Sequence, residues 1–171
     1  MAAPSAMQRV VSCVCGRVRF GADGAPMSRA VCYCDDCQAG ARLIEALPNA
    51  PRFRDDDGGT SFLTYRDDRF KCLSGEDLLV AYRIKEGSPT RRMIASCCNS
   101  AIYLKFEPGF WVSIYRERLE SDDLPPPEMR IQTKYRRADA PLPDLTPCYR
   151  GIPLRLFVRG VFARIAMAVG A

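Results

Sequence analysis

Apolar and polar positions alternate over short stretches of this chain, with breaks rich in Gly, Asp, Ser and Pro between them. Val10 to Phe20 (VVSCVCGRVRF) is rich in β-branched residues and reads as a strand. Gly21 to Pro26 holds turn residues, and Ala30 to Tyr33 reads as a second short strand running into a turn at Asp35-Asp36. Gln38 to Leu47 carries Leu43, Ile44 and Leu47 at helical spacing and stops before Pro48. A polar loop follows, Arg52 to Gly59. Strands then recur at Ser61–Tyr65, Arg69–Leu73, Leu78–Ile84, Arg91–Ala95 and Ala101–Phe106, with turn signals at Gly75-Glu76-Asp77 and Glu86-Gly87-Ser88-Pro89. Short strands at this spacing predict an all-β, mainly antiparallel core.

From Asp122 the pattern changes. Pro125-Pro126-Pro127, Pro141, Pro143, Pro147 and Pro153 predict extended, irregular chain that cannot be regular helix or central strand. Leu154 to Val169 is apolar, with Arg155 and Arg159 on one helical face and Leu156, Val161, Ile165 and Val169 able to form the other. It reads as a helix that packs on its own domain or on a second copy, with a membrane-surface or partner helix as the alternative. The organisation expected is a tail over residues 1–9, a β domain over 10–117, a Pro-rich extension over 118–150 and an apolar, basic segment over 151–171.

With 171 residues, 47% of them hydrophobic, the chain can bury one core. Residues 1–9 lack a signal-like apolar run, and no stretch reaches the ~18 apolar residues of a membrane span. A reducing, cytoplasmic location is expected, where grouped thiols hold metal more often than they form disulfides. The formal charge is +5, but seven thiolates around two Zn²⁺ would leave +2. That is too little to predict nucleic-acid binding, despite the basic run around Tyr135 (Arg130, Lys134, Arg136, Arg137).

The candidate chemistry lies in the cysteines. The chain has nine, and no histidine. The missing histidine excludes Ser-His-Asp and Cys-His catalysis, H-E-x-x-H metalloprotease sites and mixed Cys/His fingers. Cys32-Tyr33-Cys34-Asp35-Asp36-Cys37 gathers three thiols within six residues. Zinc is the default metal for such a group, and an iron–sulfur cluster is the minor alternative. Three protein ligands suit a zinc that keeps an open position for a substrate thiol; a fourth thiol from elsewhere would close it into a structural site. Cys13 and Cys15, two apart on the expected strand, would share a side. With Cys97 and Cys98 they make a second set of four, provided a bend at Cys98-Asn99-Ser100 brings the adjacent pair together. Cys97 is the weaker ligand, with a buried free thiol as its alternative. Cys72 and Cys148 have no sequence partners.

Three segments, Ser12-Cys13-Val14-Cys15-Gly16-Arg17-Val18, Cys32 to Cys37, and Arg92 to Ser100, together resemble the glutathione-dependent formaldehyde-activating enzyme family, which includes centromere protein V-like proteins. The resemblance spans roughly residues 11 to 106 and points to a divergent branch. Tyr33 stands where the family has histidine, Ala95 where its C-terminal knuckle has a cysteine, and Asn99 where that knuckle has glycine. What the resemblance implies is an Mss4-like, zinc-bound β-tent, here with an irregular Pro-rich and helical C-terminal extension. It implies two zinc ions per chain, a structural one on Cys13, Cys15, Cys97 and Cys98 and a catalytic one on Cys32, Cys34 and Cys37. It also implies carbon–sulfur lyase-type chemistry on a glutathione or other thiol adduct. Arg91 or Arg92 would pair with a glutathione carboxylate, and Tyr33 or Asp36 would relay a proton. Ordinary strand surface or packing is the alternative for Arg91, Arg92 and Tyr33, and a solvated turn for Asp35-Asp36. The competing function is a non-enzymatic, zinc-stabilised interaction module. The expected partner is a small thiol, with the C-terminal segment a candidate for homodimer contact.

Overall fold

A computed structural model describes residues 8–121, 124–137 and 141–170. Ten strands run in the order β1 (Gln8–Ser12), β2 (Arg19–Asp23), β3 (Ser28–Cys32), β4 (Thr60–Arg66), β5 (Phe70–Ser74), β6 (Leu79–Tyr82), β7 (Thr90–Ala95), β8 (Ser100–Phe106), β9 (Trp111–Tyr115) and β10 (Met129–Ile131). Helix α1 (Asp35–Glu45) follows β3, and helix α2 (Leu154–Ala168) is the last element. The protein is therefore all-β in its core. Strands β1, β2 and β5 form a three-stranded sheet, and the order β10-β3-β4-β9-β8-β7-β6 forms a seven-stranded one. Every pairing is antiparallel except β10 with β3.

The two faces of the large sheet are covered differently, as the alternation of strand side chains requires. Leu63 and Tyr65 of β4 and Val112 and Ile114 of β9 pack against Val11, Phe20 and Ala22 of the small sheet and Val18 of its β1–β2 turn. On the other face Phe62, Ala101 and Tyr115 pack with Ala41 and Ile44 of α1.

Two local readings of the sequence are corrected, and two strands, β9 and β10, are added to it. Val10–Phe20 is not one strand: a turn separates β1 from β2, held by Cys13 N–H to Val18 O (3.1 Å) and Gly16 N–H to Cys13 O (2.9 Å). Gly16 has φ +75°, which favours glycine. The Asp35-Asp36 turn is instead the first turn of α1, where carboxylates complement the helix dipole. Strand β9 was not foreseen, although Trp111-Val112-Ser113-Ile114-Tyr115 alternates. β10 falls in the Pro-rich stretch and takes an edge position, where a ladder can end.

Most of the expected tail, residues 1–7, lies outside the described residues, as do Asp122, Asp123, residues 138–140 and Ala171. Among the described residues no helix is long and apolar enough to cross a membrane.

Candidate metal centres

The first cluster joins two turns. Cys13 and Cys15 sit in the β1–β2 turn; Cys97 and Cys98 sit in the β7–β8 turn, where Cys98 N–H bonds Ala95 O (3.2 Å) and Asn99 takes φ +52°. That bend brings both adjacent cysteines to one side. Their sulfurs lie 3.5 Å (Cys13–Cys15), 3.9 Å (Cys13–Cys97), 3.3 Å (Cys15–Cys97) and 3.8 Å (Cys97–Cys98) apart. A tetrahedral ion with metal–sulfur bonds of about 2.3 Å needs sulfurs about 3.8 Å apart, so the four thiols fit zinc. It is the turn, rather than strand alternation, that puts Cys13 and Cys15 together.

The surroundings favour thiolates. The Arg17 backbone N–H and guanidinium, followed by the Cys97 thiol, hold the Cys15 thiol down at about 6. Burial, then the neighbouring Cys15 and Cys13 sulfurs, pushes Cys97 up to about 12, the expected division of one charge among crowded thiols.

The second cluster is built by a strand end and a helix start. Cys32 closes β3, Cys34 is the N-cap of α1, and Cys37 lies in its first turn with its N–H donated to Cys34 Sγ (3.4 Å). All three sulfurs lie within 4.8 Å of one another. Hydrogen bonds from the Cys32 and Cys37 thiols, with the Cys37 and Asp36 N–H groups, pull Cys34 down to about 3. The same sharing raises Cys32 to about 12 and Cys37 well above the ordinary thiol value. A cation at this helix start would replace the shared protons, and three soft, clustered sulfurs suit zinc.

The other sequence-selected residues surround this cluster without joining it. The Tyr33 ring is buried. Its hydroxyl donates to Asp57 Oδ2 (2.7 Å) and accepts from Arg130 Nη1, and Arg130 Nη1 also pairs with Asp57 (2.6 Å). Burial, then the Asp57 carboxylate, keeps the Tyr33 hydroxyl protonated far above its usual range. Arg92 is 2% exposed and lies across α1 at Gly40, donating Nη2–H to Asp36 O (2.7 Å). Arg91, on the opposite side of β7, pairs with Glu107 (3.2 Å). Cys72 is half-buried and Cys148 exposed, both free.

Sequence reasoning missed two features of this region. One is the buried Asp57–Arg130 pair, which no motif announces. The other is an apolar cavity of about 650 Å³ with Cys32 and Cys37 in its wall, lying between the α1 face of the large sheet and α2.

An all-β protein with two separate thiol clusters able to hold metal is thus defined by fold and site together. Its resemblance is to the glutathione-dependent formaldehyde-activating enzyme family, whose sequence profile matches residues 8–47, the stretch holding Cys13, Cys15 and all of the central cluster. A crystal structure of a Rhodobacter sphaeroides protein, a structural-genomics target, is similar at a TM-score of 0.47 and 12% identity, over 68% of this chain and 91% of that one. No curated protein matches the chain.

Proposed function

We propose that this chain binds two zinc ions and works at the central one as a carbon–sulfur lyase-type enzyme on a thiol adduct. The observation that carries the reading is the open count of the central cluster: among the described residues three sulfurs converge, one fewer than a closed site, and two of them face a cavity. Cys13, Cys15, Cys97 and Cys98 hold the structural ion, and Cys32, Cys34 and Cys37 hold the working one. Zinc bound there supplies a positive charge that keeps a substrate thiol deprotonated while leaving it nucleophilic.

The chain's own residues fix the site around that chemistry. Cys34 caps α1 and Cys37 sits one turn in, so the helix start aims its N–H groups at the sulfurs. Arg92 acts through α1: by holding Asp36 O it fixes the backbone between Cys34 and Cys37. Tyr33 is likewise a positioning residue, anchored by Asp57 and Arg130, and fixes the turn between Cys32 and Cys34. In the condensing direction the substrate sulfur bonds to a carbonyl carbon, and the carbonyl oxygen takes up the proton the thiol gave. In the lyase direction the same carbon–sulfur bond breaks and the proton returns to sulfur. The partner is a small thiol rather than a nucleic acid, and a reducing cytoplasm suits nine free cysteines.

The second reading, a zinc-stabilised interaction module, draws on the exposed apolar residues Leu154, Val158 and Val169 at α2. Metal analysis separates the two. We expect two zinc ions per chain, one in a Cys32/Cys34/Cys37→Ser variant, and thiol-sensitive charge-transfer bands in cobalt-substituted protein that this variant loses. One zinc that survives the triple substitution would sink the enzyme reading. Bands indifferent to every thiol would leave the interaction module in its place.

A further inference from the structure

The cavity beside the central cluster has a definite chemical character. Its sheet side is built by Ala30, Phe62, Leu104 and Trp111, and its roof by Leu156, Phe157, Val161 and Ile165 of α2. Ser28, Thr64 and Ser113 are its neutral polar members. No carboxylate lines it among the described residues. Of the two arginines at its wall, Arg159 is already paired with Glu128, and Arg164 lies over the Phe110 ring, 5.6 Å from the centroid. Its volume falls within the range of about 300–1,000 Å³ usual for small-molecule sites.

Helix α2 keeps this space open. It is tied down at its edge, by Arg155 to Glu128 O (3.2 Å) and Arg159 to Met27 O (3.3 Å), rather than by a packed apolar seam. None of its residues is buried. Gly160, at mid-helix, lies in the cavity wall, and a Cβ added there would meet nothing within 4 Å. Glycine weakens a helix, and here no close neighbour requires it. Its effect is to widen the space opposite the sheet.

We propose that this cavity seats an apolar thiol, or the apolar part of its carbonyl adduct. The sulfur lies at the Cys32/Cys37 end and the hydrocarbon runs between α2 and the sheet. The proposal rests on reading the central cluster as a thiol-accepting metal site, and it narrows the substrate class. Glutathione fits this wall poorly: it carries two carboxylates and an ammonium at neutral pH, and among the described residues the lining offers no acidic group for the ammonium and, beside the paired Arg159, only Arg164 for the carboxylates. Buried charge without partners is strongly disfavoured. An alkyl or aryl thiol has no such demand.

Trp111 is the single tryptophan of the chain and stands in the cavity wall, so its emission reports occupancy. The full chain, zinc-loaded and separately cobalt-loaded, would be titrated with 1-octanethiol, 1-octanol and glutathione, following Trp111 emission and the cobalt bands. The expected result is a saturable emission shift with octanethiol and with octanol, a cobalt band change with octanethiol, and no emission shift with glutathione. Gly160→Leu fills the cavity from the helix side and should weaken octanethiol binding by about tenfold or more at unchanged zinc content; Gly160→Ala, a milder change, should weaken it less. Cobalt bands that respond to glutathione, with no emission response to octanethiol or octanol, overturn the apolar assignment and leave the thiol-accepting site standing. Bands that respond to no thiol overturn that reading and this proposal with it, whatever octanol does to Trp111.

Discussion

Single side chains set the central cluster's backbone, and the tightest of these contacts is at Gly40. A Cβ built there would lie 2.2 Å from Arg92 Nε and 2.7 Å from its Cζ. Gly40→Ala must therefore displace a buried guanidinium that holds Asp36 O, between two cysteines of the cluster. The expected loss is about 1–3 kcal/mol in urea unfolding, with central zinc affinity reduced and the four-thiol site unchanged. Equal weakening of both sites would remove Arg92 from its positioning role. Arg130 offers a second test. Its side chain is 3% exposed and that of Asp57 7%, so Arg130→Met strands a carboxylate held otherwise by the Tyr33 hydroxyl and Gly59 N–H (3.0 Å). A loss of about 3–5 kcal/mol is expected. The double variant with Asp57→Asn should recover part of it; a strictly additive cycle would contradict the coupling. At this scale the sequence made the cysteines legible, because three soft ligands in six residues have few other uses. The burial of Arg92 and Arg130 was not legible, since an arginine in a strand reads as surface until the helix or loop that covers it is known.

Among the elements, hydrophobic alternation located the strands β3 to β8, and β-branched residues with turn signals bounded them. It misplaced Cys13 and Cys15, because VVSCVCGRVRF alternates equally well as one strand or as two strands around a glycine turn. It also missed the start of α1, because a cysteine is an unfamiliar N-cap. Helix α2 was legible as a helix but not in its placement, which depends on charge pairing with a glutamate at the edge of the Pro-rich stretch. That pairing makes its docking sensitive to acid. Burial alone would raise the Glu128 pKa, but the Arg159 hydrogen bond, the Arg29 N–H and their charges outweigh it and hold the carboxyl below 4.5. A depressed carboxyl contributes stability above its unfolded value, and that contribution is lost as pH falls through the folded one. Backbone amide exchange in α2 should therefore accelerate as pH drops below 4.5, relative to β4 and β9 and after correction for intrinsic exchange. Arg159→Gln should show the faster exchange already at neutral pH, with zinc content intact. An α2 that exchanges alike in both proteins and at both pH values would mean that other contacts hold it.

The whole molecule depends on where the two clusters sit relative to its layers. The four-thiol cluster bridges the turn of the small sheet to the β7–β8 turn of the large one, across the layer formed by Val11, Phe20, Leu63 and Ile114. A metal there ties the sheets together, and its binding energy is partly folding energy. The central cluster instead joins β3 to α1 on the other face, with one ligand fewer among the described residues. The two ions should therefore leave in order. Titration with a strong chelator should first remove the central zinc, abolishing thiol-dependent spectral changes while the near-ultraviolet circular dichroism and cooperative unfolding persist. Removal of the second should separate the sheets, with loss of near-ultraviolet signal and a midpoint shift of several degrees for each kcal/mol lost. The Cys32/Cys34/Cys37→Ser variant should reproduce the first step alone, and Cys15→Ser, which removes an exposed ligand without opening a core cavity, should bring on the second at lower chelator. Simultaneous release of both ions, or loss of tertiary signal with the first, would show that the central cluster supports the fold as much as the bridging one. The division into a stapling metal and a working metal would then fail.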